Sequence, residues 1–64
     1  MKSLTNNHIY SIDEINSQGL KRYKIEHIDF EVFLKSGKVY FFEEVNGNSY
    51  RLFTIIREES FFLK

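Results

Sequence analysis

The chain has 64 residues, of which 42% are hydrophobic and 17% aromatic, and its nine basic and nine acidic side chains cancel. This apolar content with no net charge excludes a chain that is disordered by composition. The absence of cysteine excludes a disulfide framework and a thiolate zinc site, and the length allows one domain, residues 1–64.

Hydrophobic runs in this sequence are short. The longest, residues 39–42, is far below the roughly 20 residues that a membrane-spanning helix needs. The residues before position 9 contain no apolar signal core, so we expect a cytoplasmic protein without membrane association. A composition rich in Ile, Lys, Asn, Phe and Tyr and without Ala is typical of AT-rich genomes and suggests a bacterial or phage source.

A short N-terminal helix is predicted over residues 12–18. Ser11 and Glu14 have the spacing of a capping box, in which each side chain bonds the other's backbone N–H. Gly19 marks the end of the helix, because glycine readily adopts the left-handed conformation found there. Two turns are marginally stable alone in water, so we expect the helix to dock on the rest of the chain through its isoleucines.

The remainder of the sequence reads as strand. We predict strands over residues 20–27, 28–35, 38–45, 49–57 and 60–63. Ser36-Gly37 and Asn46-Gly47 are turn signals, and Asn-Gly favours the type I′ turn of a tight hairpin. No turn signal separates residues 27 and 28, so residues 20–35 form either one bent strand or two. The closing Phe61-Phe62 is expected to pack on the body as an edge strand or lid, or to dock on a partner.

These elements predict an α+β fold that is mainly antiparallel β, with one short N-terminal helix and a meander of four or five strands. The stretch from Phe30 through Ser36-Gly37 to Lys38 resembles the second strand and glycine turn of Sm-like RNA-binding proteins. This resemblance implies a small SH3/Sm-like barrel as an alternative to an open sheet. The glycine and Asp-Asn loop that follow in that family are absent, because Tyr40-Phe41-Phe42-Glu43 stands there, and no binding residue is carried over.

Hairpin register assigns side chains to the two faces of the sheet, because they alternate along a strand. A two- or four-residue loop after residue 45 predicts a hydrophobic core on a first face: Ile28, Phe30, Val32, Leu34, Val39, Phe41, Val45, Tyr50, Leu52 and Ile56. A three-residue loop would break this assignment. Glu43 is the charged residue of that face. Either Tyr50 or a basic side chain satisfies it, or it sits at an open end of the sheet, or it serves as a general acid or base.

The second face has an aromatic centre with a charged rim and is our candidate interaction face: Phe33, Tyr40, Phe42, Phe53, Ile55 and Arg51. One short helix in so brief a chain is not expected to cover both faces. We therefore predict a non-enzymatic protein-interaction module that binds itself or a host protein, forms a homo-oligomer, and is encoded by a phage or mobile element.

A nucleic-acid binder is the alternative function. Basic residues alternate with an aromatic one at Lys21, Arg22, Tyr23 and Lys24, a pattern suited to phosphate contact and base stacking. The molecule would then be a small β-barrel binder of RNA or single-stranded DNA that uses the second face, where Phe33, Tyr40, Phe42 and Phe53 could stack bases. The zero net charge argues against it, because phosphate contacts dominate such binding.

Signals for catalysis or metal binding are weak. His8 and His27 are the two histidines, and neither their spacing nor that of Glu26 and Asp29 matches a known metal motif. The paired glutamates at 43–44 and 58–59 would point to opposite faces of a strand. We expect no enzyme activity, no metal and no cofactor.

Overall fold

The computed structural model describes residues 7–26 and 28–62. It contains a five-stranded antiparallel sheet and two short helices, in the order β1 (Ile9–Ser11), α1 (Ile12–Ser17), β2 (Lys21–Tyr23), β3 (Glu31–Lys35), β4 (Lys38–Val45), β5 (Ser49–Arg57) and α2 (Glu58–Phe62). The strand order across the sheet is β1-β5-β4-β3-β2. The mainly antiparallel β prediction is confirmed. Within the described residues the sheet is not closed, so the barrel alternative is not confirmed.

Helix α1 follows the sequence prediction closely. The Ser11 hydroxyl accepts a hydrogen bond from the backbone N–H of Glu14, and the Glu14 carboxylate accepts one from the N–H of Ser11, both at 3.1 Å. This capping box satisfies two of the N–H groups that a helix start leaves unpaired. At the other end Gly19 has φ +83°, and the Lys35 amine donates to the carbonyl of Gln18. The helix is thereby fastened to the sheet at both ends.

The four predicted central strands are confirmed to different extents. The bounds of β4 and β5 are the predicted ones. Residues 20–35 form two strands, which was one of the two predicted alternatives. Strands β2 and β3 are, however, much shorter than the predicted strands over residues 20–27 and 28–35. Strand β1, which pairs with residues 49–51 of β5, was not predicted because three residues are too few to show a period.

The second hairpin has a three-residue loop. Val45 pairs with Ser49, so Asn46, Gly47 and Asn48 lie between them, and the backbone of the first two has positive φ. The first hairpin has the expected two-residue turn, with Lys35 opposite Lys38. An odd loop length reverses the parity of β5 relative to β4, which places Tyr50 and Leu52 on the face of Phe42.

A bulge at Phe53 restores the expected parity further along β5. Phe42 pairs with Leu52 while Phe41 pairs with Thr54, so Phe53 has no partner in β4. One extra residue on a strand shifts every later side chain to the other face. Thr54 and Ile56 therefore share the face of Phe41, as the sequence predicted, and only the first part of β5 is exchanged.

The faces of the sheet differ from the prediction. The face under α1, which we call the α1 face, carries the main core: Tyr10, Ile15, Leu20, Phe33, Phe42, Tyr50 and Leu52. Phe33 and Phe42 are only 1% and 0% exposed, so the expectation that they lie on an uncovered face is wrong. Ile15 of α1 and Leu20 after it cover that side of the sheet, and Tyr10 of β1 points into the same core.

The end of the described chain is helical. Residues 60–62, predicted as part of a strand over 60–63, belong to α2, and residue 63 lies outside the described residues. Glu58 and Glu59 occupy the first turn, where negative charge suits the positive end of the helix dipole. The N–H of Glu58 donates to the carbonyl of Gly37 at 2.8 Å. Helix α2 thus begins beside the first hairpin turn and lies on the side of the sheet opposite α1, which we call the α2 face.

Candidate interaction surface

The α2 face of the sheet carries a cluster of aromatic rings. They come from β2, the segment before β3, β4, β5 and α2, and they touch one another in a connected chain; the aromatic cluster consists of Tyr23, Phe30, Phe41, Phe53, Phe61 and Phe62. None of these rings belongs to the main core under α1. The molecule therefore has two apolar layers, one on each side of a single sheet.

Phe30 holds the centre of the aromatic cluster. Its ring stacks on that of Phe53 with centroids 4.7 Å apart, and meets the edge of Phe41 at 6.1 Å. Both arrangements are favoured pairings of aromatic rings. Phe53 lies on the α2 face together with Arg51, because the three-residue loop shifts the alternation of β5, and from there its ring reaches Phe30.

Helix α2 covers one part of this cluster. Phe61 packs edge-on against Phe41 at 5.7 Å and against Tyr23 at 6.0 Å, and Phe62 packs against Tyr23 at 5.5 Å. The expectation that Phe61 and Phe62 pack on the body is confirmed, with a helix in place of a strand. Five residues of helix are too few to shield the whole α2 face.

The uncovered part of the α2 face is apolar. Phe53 is 50% exposed although its ring is stacked on one side, and Tyr23 and Phe62 are also exposed. Val32 and Val39 beneath them are buried. Large apolar side chains grouped in this way mark a contact surface more often than scattered ones do.

An ion pair borders the exposed rings. Glu43 lies opposite Arg51, and both side chains are on the α2 face. The guanidinium of Arg51 donates to one carboxylate oxygen of Glu43 from Nη2 at 2.6 Å and from Nε at 3.0 Å. Of the alternatives considered for Glu43, the basic partner is the one observed. Such an exposed pair adds little to stability, about 0–1 kcal/mol, but it places polar groups at the rim.

The six residues predicted as an interaction face do not lie on one face of the sheet. Phe33 and Phe42 are buried in the main core, and Tyr40 is partly buried against it. Arg51 and Phe53 lie on the α2 face, while Ile55 is paired with Tyr40 and is 40% exposed on the α1 face. The three exposed residues all belong to β5, and for them an interaction role stays a prediction.

The basic cluster is divided by the sheet. Arg22 pairs with Phe33 on the α1 face, where its guanidinium lies 5.0 Å from the centre of the Phe33 ring and bonds to Glu31. Lys21 and Tyr23, its neighbours, point to the α2 face because alternate residues of a strand diverge. Lys24 follows the strand and is exposed. A depression of about 280 Å³ runs between Arg22, Tyr23, Lys24, Ile25, Ile28, Phe30, Glu31 and Val32.

The possible metal ligands do not converge in the described part of the chain. Among residues 7–26 and 28–62, no three His, Cys, Asp or Glu side chains form a group suited to a metal ion. His8 Nε2 lies 3.1 Å from the carboxylate of Glu14. His27 lies outside the described residues. In the same ranges, no helix has the length and apolar character to cross a bilayer.

Sequence reasoning missed most of the aromatic cluster as a surface. Phe30 and Phe41 were assigned to an enclosed core, and Phe53 to the opposite face. The usable signal was the Asn46-Gly47-Asn48 segment, which fits a three-residue loop as well as a two-residue one. No family model, curated protein or solved structure matches the chain. The function is therefore argued from the contacts and exposure described above.

Proposed function

We propose that the protein is a non-enzymatic protein-interaction module that self-associates through the α2 face of its sheet. The observation that carries this proposal is the exposure of Phe53, half of whose surface is open to solvent beside the stacked ring of Phe30. A cytoplasmic location and a phage or mobile-element source remain part of the proposal and rest on composition alone.

The free energy available from this surface favours a contact. A phenylalanine buries about 150–250 Å² when fully covered, so the open half of Phe53 represents roughly 100 Å². At about 25 cal/mol per Å², covering it contributes roughly 2–3 kcal/mol, and Tyr23 and Phe62 add to this. A 64-residue domain has a net stability of about 3–10 kcal/mol, so this exposed area is a large quantity for the molecule.

The composition of the surface also suits a protein partner. Interfaces concentrate aromatic residues and arginine at their centre, and their rim is polar. On the α2 face the exposed rings are bordered by Arg51 and Glu43, which already pair with each other. An opposing copy would bring the same apolar centre and the same neutral pair of charges, so no net charge opposes the contact.

The experiment compares wild type with Phe53→Asp by light scattering over a range of protein concentrations. We expect wild type to exceed the monomer mass at high concentration, and Phe53→Asp to have a lower mass than wild type with an unchanged strand signal in circular dichroism. Asn48→Asp, which adds the same charge at an exposed loop position, is the control and should behave as wild type. A wild-type mass retained by Phe53→Asp would contradict the proposal.

The nucleic-acid alternative has its own readout in the same samples. Mixed-sequence RNA and single-stranded DNA are titrated at low and high salt, because phosphate contacts weaken steeply with salt. Salt-sensitive binding that Lys21→Glu abolishes, in a protein that stays monomeric, would replace the interaction proposal with the alternative.

A further inference from the structure

Among residues 7–26 and 28–62, nothing pairs with the later part of strand β5 on the side away from β4. The strand contains nine residues, and β1 pairs with its first three, Ser49 to Arg51. Strand β1 starts at Ile9, and Asn7 before it lies in a turn. Within the described residues, no strand therefore lies along β5 from Thr54 to Arg57. Every second residue of that stretch directs its N–H and C=O outward, because the ladder with β4 uses the others.

The sequence of this edge favours further pairing. Thr54, Ile55 and Ile56 are β-branched and uncharged, which are properties of a strand that adds to another. Proteins commonly protect a free edge with lysine, with proline or with a bulge. The opposite edge strand, β2, consists of Lys21, Arg22 and Tyr23, and so carries that kind of protection. In β5 the bulge at Phe53 precedes the stretch and leaves Thr54–Arg57 in regular register with β4.

Both sides of β5 are open at this edge. Phe53 is 50% exposed on the α2 face and Ile55 is 40% exposed on the α1 face. A strand laid along the edge would cover part of each side chain as well as the free backbone groups. The edge thus offers apolar area and hydrogen-bonding groups together, which is the combination used when strands add to a sheet.

We propose that this edge pairs with the same edge of a second copy, antiparallel, around a two-fold axis that passes beside Ile55. Each Ile55 then faces its counterpart, and Thr54 of one copy faces Ile56 of the other. In this pairing, opposite residues of the two copies point to the same side of the joined sheet. In both copies Ile55 points to the α1 face, and Thr54 and Ile56 point to the α2 face. The two five-stranded sheets become one continuous sheet.

Charge favours a second copy as the occupant of this edge. The three central residues carry no charge, and Arg57 lies two residues from the axis in each copy. At about 3.4 Å per residue, the two Arg57 positions are roughly 14 Å apart along the strands. That distance exceeds the screening length of about 8 Å at physiological salt, so the cations do not oppose the contact.

The inference rests on the self-association proposed above but uses a different surface. The face contact is made by side chains of the α2 face, and the edge contact by the backbone of residues 54–57. Because an antiparallel pair related by this axis keeps equivalent faces together, both α2 faces end on the same side of the joined sheet. The edge contact therefore leaves the aromatic clusters available for the face contact.

The test uses opposite charges at the axis. Ile55→Lys and Ile55→Glu place like charges face to face in an assembly of identical copies, which is destabilising for directly opposed strand residues. We expect each variant alone to weaken association at least tenfold. An equimolar mixture should restore a complex that contains one chain of each, measured by sedimentation velocity and native mass spectrometry. Ile55→Thr keeps the β-branch without charge and should retain the wild-type mass.

The outcomes separate this inference from the proposed function. If Ile55→Lys retains the wild-type mass, or if the mixture forms no mixed complex, the edge pairing is wrong. If Tyr23→Asp, on the α2 face in the edge strand farthest from β5, lowers the mass while Ile55→Lys does not, the face contact stands alone. The reverse result leaves the edge contact and overturns the face contact.

Amide hydrogen exchange on the wild-type protein provides the same test without a substitution. We expect alternate amides within residues 54–57 to exchange more slowly as protein concentration rises. Fast exchange at every concentration contradicts the pairing. Slow exchange that does not depend on concentration would assign the edge to a segment of the same chain, and would equally overturn the proposal.

Discussion

Phe30 stacks on Phe53 with ring centroids 4.7 Å apart and ring planes inclined by 24°. The two residues come from opposite sides of β4, since Phe30 precedes β3 and Phe53 belongs to β5. Phe53 reaches the α2 face because the three-residue loop shifts the alternation of β5, and as the bulge residue it has no partner in β4. The length of the second hairpin loop thus places Phe53 at the centre of the candidate surface.

A double-mutant cycle measures this stack. Phe30→Leu and Phe53→Leu each keep apolar volume while removing one ring, and the pair should be non-additive by about 0.5–1.5 kcal/mol in the free energy of unfolding. Phe61→Leu combined with Phe53→Leu is the matched control, because no Phe61–Phe53 contact is among the ring pairs of the described residues. Coupling in the control pair as large as in the stacked pair would contradict a specific contact.

Substitutions of Phe42 and Phe53 distinguish a core residue from a surface residue. We expect Phe42→Ala to cost about 3–5 kcal/mol in stability, because its ring is fully buried between Tyr10 and Phe33. Phe53→Ala, with half the side chain exposed, should cost much less. Chemical denaturation followed by circular dichroism gives both values. A Phe42→Ala protein that unfolds at the wild-type denaturant midpoint would show that the α1 face is not the main core.

The two hairpin turns give a reciprocal prediction. Ser36 and Asn46 both precede glycine and both have positive φ, 54° and 61° respectively. Asparagine tolerates this conformation better than serine, so Ser36→Asn should stabilise the protein and Asn46→Ser should destabilise it, each by roughly 0.5–1 kcal/mol. Thermal unfolding of the two variants and of the double exchange measures this. Melting temperatures that move in the same direction would argue against the turn conformations.

The capping box of α1 contributes to the stability of the main core. Ser11→Ala removes the acceptor for the Glu14 N–H and should cost about 1 kcal/mol. Asp13→Ala, which removes only a charge from the first turn, should cost about 0.3–1 kcal/mol. Urea midpoints compare the two, and an Asp13→Ala variant less stable than Ser11→Ala would contradict the capping role.

Local signals predicted the elements well. Ser11 and Glu14 fixed the start of α1, and the turn residues around β4 fixed the bounds of that strand and of β5. These features depend on residues within a few positions of one another, where side-chain chemistry decides the backbone conformation. The strand prediction was wrong for residues 60–62 because Phe61 and Phe62 are good strand formers, while the tertiary contacts of Phe61 with Tyr23 and Phe41 favour a helix.

The faces were harder to predict, because one residue in a loop reverses every side chain after it. The three-residue loop moved Tyr50 and Leu52 to the α1 face. The bulge at Phe53 returned Thr54 and Ile56 to the face of Phe41, where the sequence predicted them. Neither event has a distinctive residue pattern in the sequence. The candidate surface therefore moved from Phe33 and Phe42, which the chain covers itself, to the exposed residues of β5 and the rings beside them.

The most direct test of the central claim is the mass of the wild-type protein in solution. The claim is that α1 covers one face of the sheet and that a second copy covers the other. Light scattering from micromolar to millimolar concentration should show a mass that rises from 7.7 kDa to at least twice that value. A mass that stays at 7.7 kDa at every concentration would contradict the account.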